Sequence, residues 1–279
     1  MTEREPLPTG TDDLLGWVTD GVAVLSFNRP SARNALSQSM YGGFAAALPV
    51  IAARDDIGCL VVTGEGGAFC AGGDVKGFAA RNADSGRAAP ASREAALDDL
   101  RLRQREVSLT IHRLPKVTIA AIPGAAAGAG LSIALSCDLR VASDTAIITT
   151  AFSKIGASGD FGGSWFLTQL VGASRAKQLY LLSDRLTAAE AERLGVVNMV
   201  MPDAEFNEGW MALARRVAAG PTLAHRYIKE NIDRAVAGAD LATCLDAEAP
   251  AMVTTMSSAD HREAAKAFVE KRPAAFTGR

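Results

Sequence analysis

The fold turns on two glycine-rich runs, Gly64-Glu65-Gly66-Gly67-Ala68-Phe69-Cys70-Ala71-Gly72-Gly73-Asp74-Val75 and Gly124-Ala125-Ala126-Ala127-Gly128-Ala129-Gly130-Leu131-Ser132. Each follows a short apolar run, residues 59–63 before the first and 116–122 before the second. Both therefore read as a buried strand leaving into a tight corner. The second corner enters a helix that runs to about Cys137. Small residues let backbone come close to a ligand, and amide N–H groups at such a corner suit an anion or a developing negative charge. Neither run has the Gly-Lys-Ser/Thr of a phosphate loop, a GxGxxG in register, or a nucleophile-elbow serine. Fourteen of the 26 glycines fall between positions 64 and 163, so the excess is local to these corners and the loop after them.

The flanking sequence supplies the rest of the architecture. Residues 22–27 (VAVLSF) read as a strand stopped by Asn28-Arg29-Pro30, and a helix follows over 37–54. A charged helix spans about 92–113, after an Ala/Ser/Asn/Arg-rich loop. Residues 139–142, 146–150 and 196–201 read as strands, with helices near 164–171 and 174–183. Thr187 with Glu190 three residues on is a capping-box helix start. From Asp203 the pattern is almost wholly helical. The expected division is a core over 14–202, a helical region over 203–279 and a flexible arm over 1–13.

Composition narrows the function. Lys and Arg number 29 against 31 Asp and Glu, for a net charge of −2, which argues against nucleic acid as a partner. Residues 117–137 carry no charge, but they hold Pro123 and three glycines among alanines, too weakly apolar for a membrane span. Cys59, Cys70, Cys137 and Cys244 are widely spaced, so neither a metal site nor a redox pair is read, and buried thiols in a cytoplasmic protein are expected.

Further residues surround the corners in a specific order. Asn28-Arg29-Pro30 and Asn34-Ala35-Leu36 precede the first, which contains Ala68-Phe69-Cys70-Ala71-Gly72-Gly73-Asp74. Cys137-Asp138 follows the second. With this order and spacing the chain resembles the crotonase superfamily, the enoyl-CoA hydratase/isomerase family, from about residue 17 onward. The resemblance implies an α/β spiral of ββα units with a C-terminal helical region that builds trimers, commonly paired as hexamers. It implies an acyl-CoA thioester substrate whose carbonyl oxygen sits between the backbone N–H groups of Gly73 and Ala129. Coenzyme A is then part of the substrate, and no cofactor is expected. Ala71, Asp74, Lys76 and Arg33 fall at or beside substrate-binding positions. Phe268 and Lys271 correspond to residues that approach the adenine end of CoA from a neighbouring subunit.

The proton-moving side chain sets the reaction. Hydratases of the family use two glutamates, and the matching positions are Ser132 and Phe152. Neither is a general base. The carboxylate at hand is Asp160, in Gly156-Ala157-Ser158-Gly159-Asp160-Phe161-Gly162-Gly163, with Phe152, Phe161, Trp165 and Phe166 near it in sequence. An Asp here resembles that of ring-epoxide phenylacetyl-CoA isomerases and Δ3,Δ2-enoyl-CoA isomerases, except that Gly159 stands where they have Pro. The ending, Ser258-Ala259-Asp260-His261-Arg262-Glu263 with Phe276-Thr277-Gly278, resembles the same group. The expectation is isomerisation of an unsaturated or ring-epoxide acyl-CoA through an enolate, with Asp160 as base. The alternatives are a hydratase or thioester hydrolase using water oriented by Ser132, and a catalytically weak CoA-binding paralogue. For Asp160 itself the alternative is a cap on the helix near Ser164.

Overall fold

The structure is a computed structural model and describes residues 4–74 and 92–279. Its main sheet begins with β1 (Glu5–Pro6), β2 (Leu14–Thr19) and β3 (Val22–Phe27), with β2 antiparallel to both of its neighbours. Asp20 and Gly21 join β2 to β3 with φ of 50° and 74°, the left-handed backbone that a two-residue hairpin needs. Beyond β3 the sheet is parallel, with β4 (Cys59–Gly64), β6 (Val117–Ile122), β8 (Leu139–Ser143) and β11 (Met199–Met201) in that order. Helix α1 (Gln38–Ala53) makes the first crossover. All six residues of β3 are buried, as expected of a strand covered on both faces. Alternate side chains go to opposite faces. Leu25, Phe27, Leu60 and Val62 enter the larger core, while Val24, Val61, Ile119 and Val141 pack under α6 (Phe206–Ala218), against Phe206, Trp210 and Leu213.

The glycine corners contain strands of their own. β5 (Ala68–Cys70) and β7 (Ala125–Ala127) pair in parallel and continue through β9 (Ile147–Thr149) to β10 (Leu186–Thr187) in a second, smaller sheet. Each turn of the chain lays one strand in each sheet and then a helix. β4 and β5 lead towards α2 (Arg93–Gln104), β6 and β7 to α3 (Ala129–Leu135), and β8 and β9 to α4 (Gly163–Leu182). This is the spiral of ββα units expected from the resemblance.

Helix α2 runs on through a wider π-type turn, Arg105–Leu109, and a last turn to His112. Within α4, Gly172 breaks the helix at φ 73° and ψ 160°. The Thr187/Glu190 capping box is formed at the start of α5 (Ala188–Arg193). After α6 come α7 (Thr222–Val236), α8 (Leu241–Met256) and α9 (Ala259–Glu270). The segment read as a flexible arm is seen, from Arg4, laid along β2. Leu7 donates its N–H to Gly16 O at 2.9 Å, and Leu7 and Thr9 are buried. The reason is a single apolar side chain finding the rim of the core. Among the described residues no helix is long and apolar enough to cross a membrane.

Candidate active site

The two corners touch backbone to backbone. A methyl group on Gly72, where φ is +89°, would lie 2.7 Å from Ala127 O and 3.2 Å from Ala129 N. A methyl on Gly130 would run into Cys70 O, and one on Gly124 into Gly67 O. Only glycine permits this approach, which explains the local excess.

The N-terminal motif holds the first corner in place. Asn34 is fully buried, with φ of 57°, a backbone region asparagine tolerates. Its Nδ2 donates to Glu65 O at 2.9 Å and Ala68 O at 2.7 Å, and its Oδ1 accepts Arg29 N at 2.8 Å. Ala71 N donates to Arg33 O and Leu36 N to Gly72 O, so residues 33–36 run beside the corner like a short strand. Arg29 reaches Asp74 at 3.4 Å and donates to Ala35 O at 2.7 Å.

The amide N–H groups of Gly73 and Ala129 donate to no protein group among the described residues. Ala129 opens α3 behind Gly128, whose φ of 54° and ψ of −126° turn the chain sharply. Two such donors on backbone that cannot relax are the arrangement that stabilises an oxyanion.

Asp160 sits half-buried in the loop before α4. Its Oδ1 accepts Gln104 Nε2 at 2.7 Å and Phe161 N at 2.8 Å. Its Oδ2 has no hydrogen-bond partner among the described residues. The carboxylate is thus fixed by one oxygen and presents the other. It does not cap α4, whose N-cap is Gly162 and receives no side-chain bond. Gly159 has φ of +137°, a value proline cannot adopt, so the loop takes its own path where the resembling isomerases have Pro. Phe161 also has a positive φ, 50°, and its buried ring stacks on Tyr41 at 5.8 Å.

The aromatic residues near Asp160 in sequence divide among different partners. Trp165 and Phe166 pack edge-on against His112, at 5.5 and 5.3 Å. Phe152 stacks on Tyr180. Tyr41 and Tyr180 are the neighbours that sequence reasoning missed. Burial pushes both phenols up to about 12, and the Asp160 carboxylate adds to it in each case. Hydrogen bonding to Ser132 draws Tyr180 partly back, and the Arg103 guanidinium does the same for Tyr41. Gln104 was also missed. It lies 56 positions from Asp160, and no local pattern links them.

The other predicted residues are dispersed. Ser132 is buried, with its hydroxyl on Gly128 O at 3.2 Å, and Phe152 is 7% exposed. Arg33 is exposed, and Ala71 and Asp74 are half-buried at the first corner. Lys76 lies outside the described residues. Phe268 stands on the outside of α9, 85% exposed, and Lys271 is exposed just past its end. A cavity of about 740 Å³ opens between residues 104–115, Phe161–Phe166 and α7, with Gln104 and Phe161 in its wall. Asp138 is structural: its Oδ2 accepts Thr118 N at 2.7 Å and Lys229 Nζ at 2.9 Å.

Residues 18–279 match the family model described as enoyl-CoA hydratase/isomerase. The chain is 36% identical over 270 residues to 1,2-epoxyphenylacetyl-CoA isomerase of Escherichia coli, covering 95% of this chain and 98% of that one. It is 35% identical over 263 residues to a Rhodobacter capsulatus protein named probable enoyl-CoA hydratase, covering 94% and 96%. The crystal structure of an enoyl-CoA hydratase from Polaromonas sp. JS666 superposes with a TM-score of 0.85 at 30% identity, over 94% of this chain and 99% of that one.

Proposed function

The chain belongs to the enoyl-CoA hydratase/isomerase family, and within it we propose that the enzyme is an isomerase that shifts a double bond, or opens a ring epoxide, in an acyl-CoA thioester. The observation that carries this reading is Asp160, with one carboxylate oxygen held by Gln104 and Phe161 N–H and the other unengaged among the described residues. A base needs an aimed, available oxygen, and such a group contributes roughly 10²–10⁴ in rate.

In this mechanism the thioester oxygen lies between the N–H groups of Gly73 and Ala129. Asp160 Oδ2 takes the proton from the carbon next to the thioester. The C–H electron pair moves into the enolate, whose negative oxygen the two amides stabilise. The double bond moves into conjugation with the thioester as Asp160 gives the same proton to the far carbon. One carboxylate completes this cycle, whereas hydration needs a second group to handle water. The ring-epoxide version is favoured by the Escherichia coli relative's name. The reading calls for no cofactor, since CoA arrives with the substrate. The cavity beside Gln104 offers room for the acyl group, between the 104–115 segment and α7. We also propose assembly as trimers or paired trimers through the helical region.

The test is product identification over a short panel of 2-enoyl, 3-enoyl and phenylacetyl-type CoA thioesters. Turnover of a 3-enoyl-CoA to its 2-enoyl isomer, abolished by Asp160→Asn, is the expected result. Equal rates for wild type and Asp160→Asn would overturn the reading.

A further inference from the structure

Tyr180 belongs to none of the sequence motifs, yet it packs against Phe152 and beside Ser132, the two positions that match the hydratase glutamates. It lies on α4, and its ring stacks flat on Phe152, with centroids 5.8 Å apart and planes 1° apart. A methyl on Gly159 would sit 3.3 Å from its Cε1. A methyl on Gly163 would sit 2.6 Å from its hydroxyl oxygen and would also strike Ser132 Oγ. The two hydroxyls therefore converge on one glycine. Ser132 is 1% exposed and already bonds Gly128 O, and Phe152 is 7% exposed. Phe152, Tyr180 and Ser132 thus pack together beside the loop that carries Asp160.

An ordered water needs two to four polar partners and the space to meet them. This cluster offers two stacked rings and two hydroxyls gathered at Gly163, one of them already bonded to Gly128 O. We propose that Tyr180 determines specificity by sealing the enolate from water, so that the intermediate leaves only by reprotonation from Asp160. The proposal rests on the isomerase reading. With the seal in place, the proton taken from the carbon beside the thioester stays on Asp160 until it forms the new C–H bond at the far carbon. With water admitted, two further outcomes open. The Asp160 proton exchanges with solvent, or water adds its oxygen to the third carbon of a 2-enoyl-CoA while a proton goes to the second.

Two substitutions separate the ring from the hydroxyl. Wild type, Tyr180→Phe and Tyr180→Ala are compared in D₂O with a 3-enoyl-CoA, reading deuterium in the product by mass spectrometry, and separately with crotonyl-CoA, reading loss of conjugated absorbance. Tyr180→Phe keeps the ring, so whatever its rate, its deuterium uptake per turnover and its ratio of hydration to isomerisation should stay within about twofold of wild type. Tyr180→Ala should raise deuterium uptake per turnover about fivefold and crotonyl-CoA hydration at least about tenfold. Should Tyr180→Ala not remain folded by circular dichroism, Tyr180→Val makes the same opening with a smaller void. Unchanged deuterium uptake and hydration in the folded small-residue variant would overturn the seal, as would Tyr180→Phe behaving like Tyr180→Ala. A wild type that isomerises nothing defeats the isomerase reading alone. The crotonyl-CoA arm then still decides the seal: it stands if only the small-residue variant hydrates and falls if wild type hydrates equally.

Discussion

Two regions of this chain treat apolar side chains in opposite ways. In the sheet core, Phe27, Phe44, Phe69 and Phe161 are withdrawn from solvent, and the first three pack edge to face at 5.6 and 5.4 Å. In the helical region, α7 has no buried residue at all, and Val253 and Val269 are 67% and 80% exposed. Of the tail, α6 lays an apolar face on the sheet through Phe206, Trp210 and Leu213, and polar ties add to it. Lys229 of α7 reaches Asp138 at 2.9 Å, and Arg215 of α6 reaches Asp20 at 2.8 Å. The core satisfies its hydrophobic surface within one chain, whereas the tail beyond α6 holds a stripe that nothing among the described residues covers. Chemistry is therefore expected to respond to changes in the core, and assembly to changes in the tail.

The largest effect should come from Asp160→Asn, which removes the base and leaves its hydrogen-bonding shape. Isomerase kcat should fall about a thousandfold, with KM little changed. Steady-state kinetics on a 3-enoyl-CoA checks it. A comparable fall from a tail substitution that leaves assembly intact would break the division between the regions. Next in size is Gly130→Ala, which drives a methyl against Cys70 O. Overpacking of this kind costs about 1–3 kcal/mol, read as a lower midpoint in urea.

How much of this was readable depended on whether the controlling contact is local. The strands at 22–27 and 59–64 announce themselves by short, mostly apolar runs that include valines, and the Thr187–Glu190 box closes over three residues. β5 and β7 were read only as corners, because Ala-Phe-Cys and Ala-Ala-Ala carry no strand signal. They pair because glycine lets their backbones meet. Asp160 was found through resemblance and its loop. Gln104 and Tyr180 were not, since each is brought to it only by tertiary folding. The closing motif gains a physical meaning: buried Asp260 accepts Thr277 N at 2.6 Å and Gly278 N at 2.9 Å, tying down the end of the chain.

The tail's exposed stripe supplies the next test. Met252→Asp combined with Val253→Asp puts two charges on α8, where these side chains are 59% and 67% exposed. If α8 packs against other subunits, association should weaken at least about a hundredfold, because an unpaired buried charge costs several kcal/mol. Sedimentation velocity should show a smaller species, while the far-ultraviolet circular dichroism and the core's thermal transition change little. An unaltered assembly would assign the stripe to some other contact.

The smallest effect concerns how the tail is fastened, and it follows pH. Glu263 on α9 accepts both arms of Arg272, at 2.5 and 3.0 Å, and Ala275 N at 3.0 Å. The Arg272 bonds, then the Ala275 N–H, hold its carboxyl down to about 2 from an ordinary 4.5. A carboxylate lowered on folding adds stability that is complete above its unfolded pKa and is lost as pH falls through the folded one. The tie is thus fully present above about pH 5 and fades between about 4.5 and 2. Both groups are solvated, so the effect should stay local. Amide hydrogen exchange over residues 272–279 should quicken as pH drops through that window, after correction for intrinsic rates, with the β3 and β4 amides unmoved. Glu263→Gln should flatten the dependence while leaving Asp260's grip on Thr277 and Gly278 in place. If the wild-type segment shows the same protection at pH 3 as at pH 6, the Glu263–Arg272 pair does not fasten the tail, and Asp260 does so alone.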